Sequence, residues 1–320
     1  MIRVYRSGAR TCDPHAGDAS AWTLPPGAVW IDLVGPTPEE DRAVERALGL
    51  SVPTREEMAE LEASSRLYRE SGATYVTADI LHHGEADMPG LDPVTFVLTE
   101  GPLVTIRYVD PRPFTLLLEK LDRDPALCGT GADLFLHLME AIIDRASDVL
   151  AANAATVEAV SGQVFSGRKT VGFEKLITRL GRAHIANARI EQSLAGLARI
   201  FAFVALDDRI EQQPDTREHL GSLTRDAQSL IAHNQAVAAS INFQLSAALG
   251  LINIEQSSII KIFSVAAVAF LPPTLIASIY GMNFDHMPEL PQAWGYPAAL
   301  VAMVISALMP LAWFKKKGWL

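Results

Sequence analysis

Cysteine is nearly missing: 320 residues carry Cys12 and Cys128 alone. The pair offers no zinc-site spacing and no disulfide framework, so they read as free thiols in a reducing compartment. A Gly-Lys-Ser/Thr phosphate loop, a nucleophile motif and a His-Glu-x-x-His helix are also lacking, which removes the usual grounds for an enzyme. Positive charge is scarce. With 27 Lys and Arg against 37 Asp and Glu the net charge is −10, a poor balance for a nucleic-acid partner. Proline is absent between Pro214 and Pro272, where the glycines are Gly221 and Gly250. Lys and Arg are absent from Gly281 to Gly295.

Apolar residues are in excess, at 49 % with a mean hydropathy of +0.17. The excess gathers in about the last 60 residues, in two runs near Ile262–Tyr280 and Tyr296–Phe314. Each holds about 19 residues without a charge, close to the ~20 a helix needs to cross hydrocarbon. Both lie too far from the N-terminus to be a signal peptide. Lys261 flanks the first run and Lys315, Lys316 and Lys317 flank the second, while the charges between them are Asp285 and Glu289. The positive-inside rule therefore places both termini in the cytoplasm and the short loop outside, with the lipid bilayer as partner. Trp294, Tyr296, Trp313 and Trp319 fall at span ends, where interfacial aromatics belong.

The rest divides by texture. Residues 1–130 read as a cytosolic α/β domain with strands at Val29–Val34, Ala73–Leu81, Val94–Thr99 and Leu103–Val109. Helices are predicted at Pro38–Leu48, capped near Thr37, and Pro53–Leu61, capped near Ser51 or Val52. Pro111 and Pro113 punctuate the chain before an Ala- and Leu-rich region, 131–260, with helices at about 132–165, 173–207 and 214–280. The transmembrane region is 261–320. The third helix, at ~1.5 Å per residue, would approach ~100 Å, a length suited to a rod entering a membrane; continuity is the expectation, although propensity alone would also allow a break at Gly250.

Tyr280-Gly281-Met282-Asn283, then Met287-Pro288-Glu289-Leu290 and Trp294-Gly295-Tyr296-Pro297, resembles the CorA family of magnesium and cobalt channels. Gly250–Gln256, Ile259–Ser264, the basic tail Phe314–Leu320 and Val29-Trp30-Ile31-Asp32-Leu33-Val34 extend the likeness, which is dense over roughly 233–320. It implies an α+β cytosolic domain, very long helices, a two-helix C-terminal transmembrane hairpin and a pentameric funnel in the inner membrane. It implies passive Mg²⁺ influx, with Co²⁺ and Ni²⁺ as further passengers, and closure by intracellular Mg²⁺. A zinc transporter of the related ZntB type is the near alternative. A membrane-anchored helical scaffold that conducts nothing is the distant one.

Steps of a turn or two along the first span put Ser257, Ile260, Ser264, Ala267, Leu271, Thr274 and Ser278 on one stripe leading to Gly281. Every serine and threonine of the span lies on it. Small-residue helix packing explains such a stripe; so does a pore wall, and the resemblance selects the pore. Gly281, Met282 and Asn283 then form the selectivity filter. Mg²⁺ sheds water reluctantly, so a ring of Asn283 carboxamides, aided by Gly281 carbonyls, suits its hydrated shell without trapping it. Gly281 would let the backbone turn, and Met282 would pack that turn. Asp285 and Glu289 would concentrate cations at the mouth. Leu271, with Phe263 deeper, would form a hydrophobic constriction, and Pro272-Pro273 would free backbone carbonyls beside it. The family pattern has asparagine where Ser257 stands; Asn253 and Gln256 are the carboxamides near that cytosolic mouth. Regulatory Mg²⁺ would draw on Asp226, Asp79, Glu85 and Asp87. His82 and His83, adjacent at a strand end, should point to opposite faces and make a poor shared metal site.

Overall fold

Runs of β-branched and aromatic residues, whose side chains suit a pleated, half-buried surface, assemble the first part of the chain into one sheet. The computed structural model describes residues 1–6, 13–14, 19–60, 62–83, 88–124, 127, 129–165, 172–283 and 287–318. Cys12, Cys128, Glu85, Asp87, Asp285, His286 and Trp319 therefore lie outside the described residues.

The strands are β1 (Ile2–Arg6), β2 (Asp13–Pro14), β3 (Ala28–Val34), β4 (Leu67–Glu70), β5 (Ala73–His82), β6 (Gly90–Leu98) and β7 (Leu103–Arg107). They lie in the order β2-β1-β3-β7-β6-β5-β4, with β3 and β7 parallel and the other neighbours antiparallel. The two-residue period sends alternate side chains to opposite faces. Trp30, Val76, Ala78, Ile80, Val94 and Phe96 enter one core; Ile31, Leu33, Tyr75, Val97, Val104 and Ile106 enter the other. The second core is closed by α1 (Pro38–Leu48) and the short α2 (Arg55–Met58), followed by α3 (Ala63–Arg66). The first is closed by α4 (Arg112–Arg123), α5 (Gly131–Phe165) and α6 (Phe173–Val204).

Helix α1 has its expected bounds, with Thr37 and Glu40 exchanging capping-box hydrogen bonds and Gly49 closing it in the left-handed region at φ +68°. The second predicted helix shrinks to Arg55–Met58, and its cap is Thr54, whose side chain accepts from the Glu57 amide. Helix α4 was not foreseen. Pro111 and Pro113 look like punctuation, but Pro111 is the N-cap and Pro113 sits in the first turn, where a missing N–H costs no bond. The helix expected to reach residue 207 stops at Val204. Asp207 there begins a new one-turn helix, α7 (Asp208–Glu211), by accepting from the Arg209 amide.

Two compact units result, Met1–Leu245 and Ser246–Leu320. Helix α8 (Pro214–Tyr280) is a single helix through Gly250. Its first part packs Leu220, Leu223, Ala227, Val237 and Ile241 into the core shared with α5 and α6. There Asn187 of α6 and Asn234 of α8, both buried, donate side-chain hydrogen bonds to each other's backbone carbonyls at 3.2 and 3.3 Å. The second unit holds the remainder of α8 and the final helix, α9 (Gly295–Lys316).

Candidate functional site

Both helices of the second unit are apolar and uncovered. Their most apolar 18-residue windows have mean hydropathies of 2.0 and 1.9, with none and 11 % of the residues buried. Phe263 is 71 % exposed and Leu271 65 %. At ~25 cal/mol per Å², so much apolar surface is incompatible with water and calls for lipid or further protein.

The exposure is not uniform around α8. Between Ile262 and Tyr280 the partly covered positions are Val265, Ala266, Val268, Ala269, Pro272, Pro273 and Ile276. At 100° per residue they occupy one side. The partly covered or buried positions of α9, among them Gly295, Ala299, Met303, Ala307, Leu311 and Phe314, also fall on one face. That is the pattern of two helices lying side by side. Ser257, Ile260, Ser264, Ala267, Leu271, Thr274 and Ser278 lie on the opposite side of α8, and every one is exposed. The sequence stripe is thus the face that α8 turns away from its covered side.

Three details refine the expected chemistry. Thr274 donates its hydroxyl to the Phe270 carbonyl at 2.7 Å, so its proton is used within the helix while its oxygen remains free to accept. Pro272 and Pro273 sit inside α8 without ending it. Lacking N–H groups, they leave the carbonyls of Val268 and Ala269 without their helical partners. At the N-terminal end of the stripe Asn253, Ile254, Ser257, Ser258 and Lys261 line an open recess of about 470 Å³.

Helix α8 closes through hydrogen bonds from the Gly281 amide to the Ala277 and Ser278 carbonyls, at 3.0 and 3.2 Å, and from Met282 to Ile279 at 3.2 Å. The chain turns at Gly281, as expected, and does so without a positive φ. Its requirement is proximity: a Cβ would stand 3.2 Å from the Ala277 carbonyl oxygen. Met282, expected to pack the turn, is 47 % exposed. Asn283 follows, also exposed. Glu289 is half-buried, and its carbonyl would lie 2.3 Å from a Cβ on Gly295, which keeps the start of α9 tight against the loop.

The carboxylates read as regulatory part company. Asp79 is 8 % exposed and already engaged: Arg66 donates to both its oxygens, at 2.9 and 3.4 Å, and Gln192 donates at 2.9 Å. Arg66 and Gln192, 13 and 113 residues away, gave no sequence signal of this pairing. Asp226 is exposed on α8, close enough to the α5 carboxylate of Asp144 to help raise its pKa, after burial, Glu140 and Asp148. His82 and His83 do meet, against expectation, with Nδ1 atoms 2.6 Å apart. His83 lies beyond β5 at φ +50°, and this departure from the strand brings its ring back beside His82. The other His82 nitrogen is held by Asp92 at 2.6 Å.

A mixed sheet, a 67-residue helix and a second apolar helix define a two-span membrane protein with a large extramembrane domain. The family model described as CorA-like Mg²⁺ transporter protein matches residues 26–316, and the chain belongs to that family. It is 35 % identical over 295 residues to the magnesium transport protein CorA of Escherichia coli strain K12, covering 92 % of each chain. Its identity to the protein of the same name from Pectobacterium atrosepticum is 33 % over 293 residues, again with 92 % of each covered. The complete structure of the CorA magnesium transporter from Methanocaldococcus jannaschii superposes with a TM-score of 0.80, covering all of this chain and 98 % of that one at 18 % identity.

Proposed function

We propose that the chain assembles as a homopentamer in the inner membrane and passes Mg²⁺ passively into the cell, with Co²⁺ and Ni²⁺ as further passengers. The observation that carries this is the open stripe of α8, from Ser257 to Ser278, opposite the covered side and leading to Gly281-Met282-Asn283. One such helix cannot enclose an aqueous path; copies arranged around an axis can, each turning this face inward. Five is the number that the family resemblance implies.

In that arrangement the residues divide the work. Asn283 carboxamides hydrogen-bond the water shell of a hydrated divalent ion, weakly enough for release. Glu289, with Asp285, raises the cation concentration at the outer mouth. Ser264 and Ser278 offer hydroxyls along the wall, and Leu271 with Phe263 forms the ring that closes by dewetting. Asn253 and Gln256 line the cytosolic exit beside Ser257. An inside-negative potential drives entry by about 4.6 kcal/mol per 100 mV for a doubly charged ion. Intracellular Mg²⁺ closes the path, with Asp226 the described carboxylate still open to solvent for that role. Both termini face the cytoplasm in this reading, which the lysines at the end of α9 support through the positive-inside rule.

The test is Mg²⁺ entry into proteoliposomes under an inside-negative potential, with native mass spectrometry of the same preparation. Entry by wild type but not by Asn283→Ala, from a species of five 34.7 kDa chains, is the expected result. Equal entry by both proteins would remove Asn283 from the filter, and Zn²⁺ entry that needs a pH gradient would favour the zinc-transporter reading.

A further inference from the structure

His137 and Glu140 lie three apart on α5 and so share a side of that helix. Helix α8 brings His219 against the same spot, its ring centroid 5.2 Å from that of His137. The nearest ligating atoms of the three residues all lie within 4.8 Å of one another, and each residue is half-buried. His137 Nδ1 stands 3.5 Å from Glu140 Oε2, and Lys120 of α4 reaches the same oxygen at 3.4 Å. Two imidazoles and a carboxylate are thus held by two packed helices, with one side open to solvent.

We propose that His137, Glu140 and His219 form a binding site for a first-row transition cation, Zn²⁺, Co²⁺ or Ni²⁺, separate from the Mg²⁺ pathway. The donor set decides the ion. Imidazole nitrogen suits these borderline cations, whereas Mg²⁺ demands oxygen donors in octahedral array. With bonds of roughly 2.0–2.1 Å, donors around a tetrahedral ion stand roughly 3.4 Å apart, so modest rotamer adjustments close the present 4.8 Å spread. Water completes the coordination from the open side.

A metal binds the neutral imidazole and the ionised carboxylate, so protons compete with it for these three residues. Asp144, one turn beyond Glu140, adds a carboxylate near the site. Binding would fasten α8 to α5 at residue 219, on the helix that continues to the Gly-Met-Asn turn. All three ligands belong to Met1–Leu245, so the site stands whether or not the chain conducts.

The test is equilibrium dialysis of the full-length protein in lipid nanodiscs against Co²⁺ and against Zn²⁺, in excess Mg²⁺ to fill oxygen-only sites. Co²⁺ also reports its ligands through visible ligand-field bands. One ion per chain, retained in excess Mg²⁺, with intense visible bands for Co²⁺, is expected. Affinity should fall at least about tenfold in His219→Gln and in Glu140→Gln, and also as the pH drops from 7.5 to 5.5. His137→Gln provides a third variant, and thermal melting checks that each is folded. Equal binding by wild type and the folded variants, or loss of all Co²⁺ and Zn²⁺ to Mg²⁺, would overturn the assignment.

Discussion

Replacing Asp32 by asparagine tests how the sheet core tolerates charge. Asp32 and Arg107 are both 1 % exposed, on the parallel pair β3 and β7. Arg107 donates to both carboxylate oxygens, Nε to Oδ1 at 3.0 Å and Nη2 to Oδ2 at 2.8 Å. Thr105 donates to Oδ1 at 2.8 Å and in turn accepts from the Trp30 indole at 2.9 Å. Phe114 stacks under the guanidinium 4.4 Å away. The neutral amide introduced by Asp32→Asn would keep the shape and strand the cation. Breaking a buried pair by removing one partner costs about 3–5 kcal/mol. Arg107 keeps the Val109 carbonyl and the exposed Asp110, so the lower end applies, about 3 kcal/mol. For a unit of this size roughly 2–4 °C is lost per kcal/mol, giving a fall of about 6–12 °C in Tm. Circular-dichroism melting of the full chain measures it. A shift under about 2 °C would refute the reasoning. The double change Asp32→Leu with Arg107→Met should recover much of the loss, because an apolar pair leaves no orphan charge.

Asp207 carries a pH prediction. Burial raises its pKa, but hydrogen bonds from Arg209 and Thr74 prevail and hold it at about 2, against an ordinary 3.8. A depressed carboxylate stabilises the fold above its unfolded pKa, so about 2 kcal/mol present at neutral pH should vanish as pH falls from about 4 to 2. Melting of wild type and Asp207→Asn should converge across that window; a constant gap would contradict the assignment. Gly131→Ala would push a Cβ to 2.7 Å from the Leu103 amide nitrogen and 2.8 Å from the Gly101 carbonyl, both backbone. It should cost about 1–3 kcal/mol in the same melts, and no loss would show that the loop before α5 can yield. Gly281→Ala meets the Ala277 carbonyl at 3.2 Å, so it should leave folding intact while lowering Mg²⁺ influx. Unchanged influx would show that this close approach has no part in the filter.

Much of this architecture is legible because it rests on local patterns. The Thr37–Glu40 capping box, the proline-free run after Pro214 and the two charge-free spans are signals of neighbouring residues, and the corresponding elements have their expected extents. What escaped depends on partners far apart in sequence. Strand β1 is set by pairing with β3, and β4 by pairing with β5. Asp79 looked available to a cation because Arg66 and Gln192 reach it only in the folded chain. His137 and Glu140 sit at a visible i, i+3 spacing, but His219 joins them across 79 residues of chain, so the trio shows only after α5 and α8 pack. Around α8, periodicity places the hydroxyls on one stripe but does not say which side is covered. The exposure pattern of α8 and α9 supplies that.

The most direct test of the proposed passive conduction is electrical: Mg²⁺ current through the reconstituted protein, recorded against voltage in asymmetric Mg²⁺. A passive path selective for a divalent ion should reverse at the Mg²⁺ equilibrium potential and shift by about 30 mV per tenfold change in gradient, with the current abolished in Asn283→Ala. A reversal potential that follows the proton gradient, or no current from a folded pentamer, would contradict it.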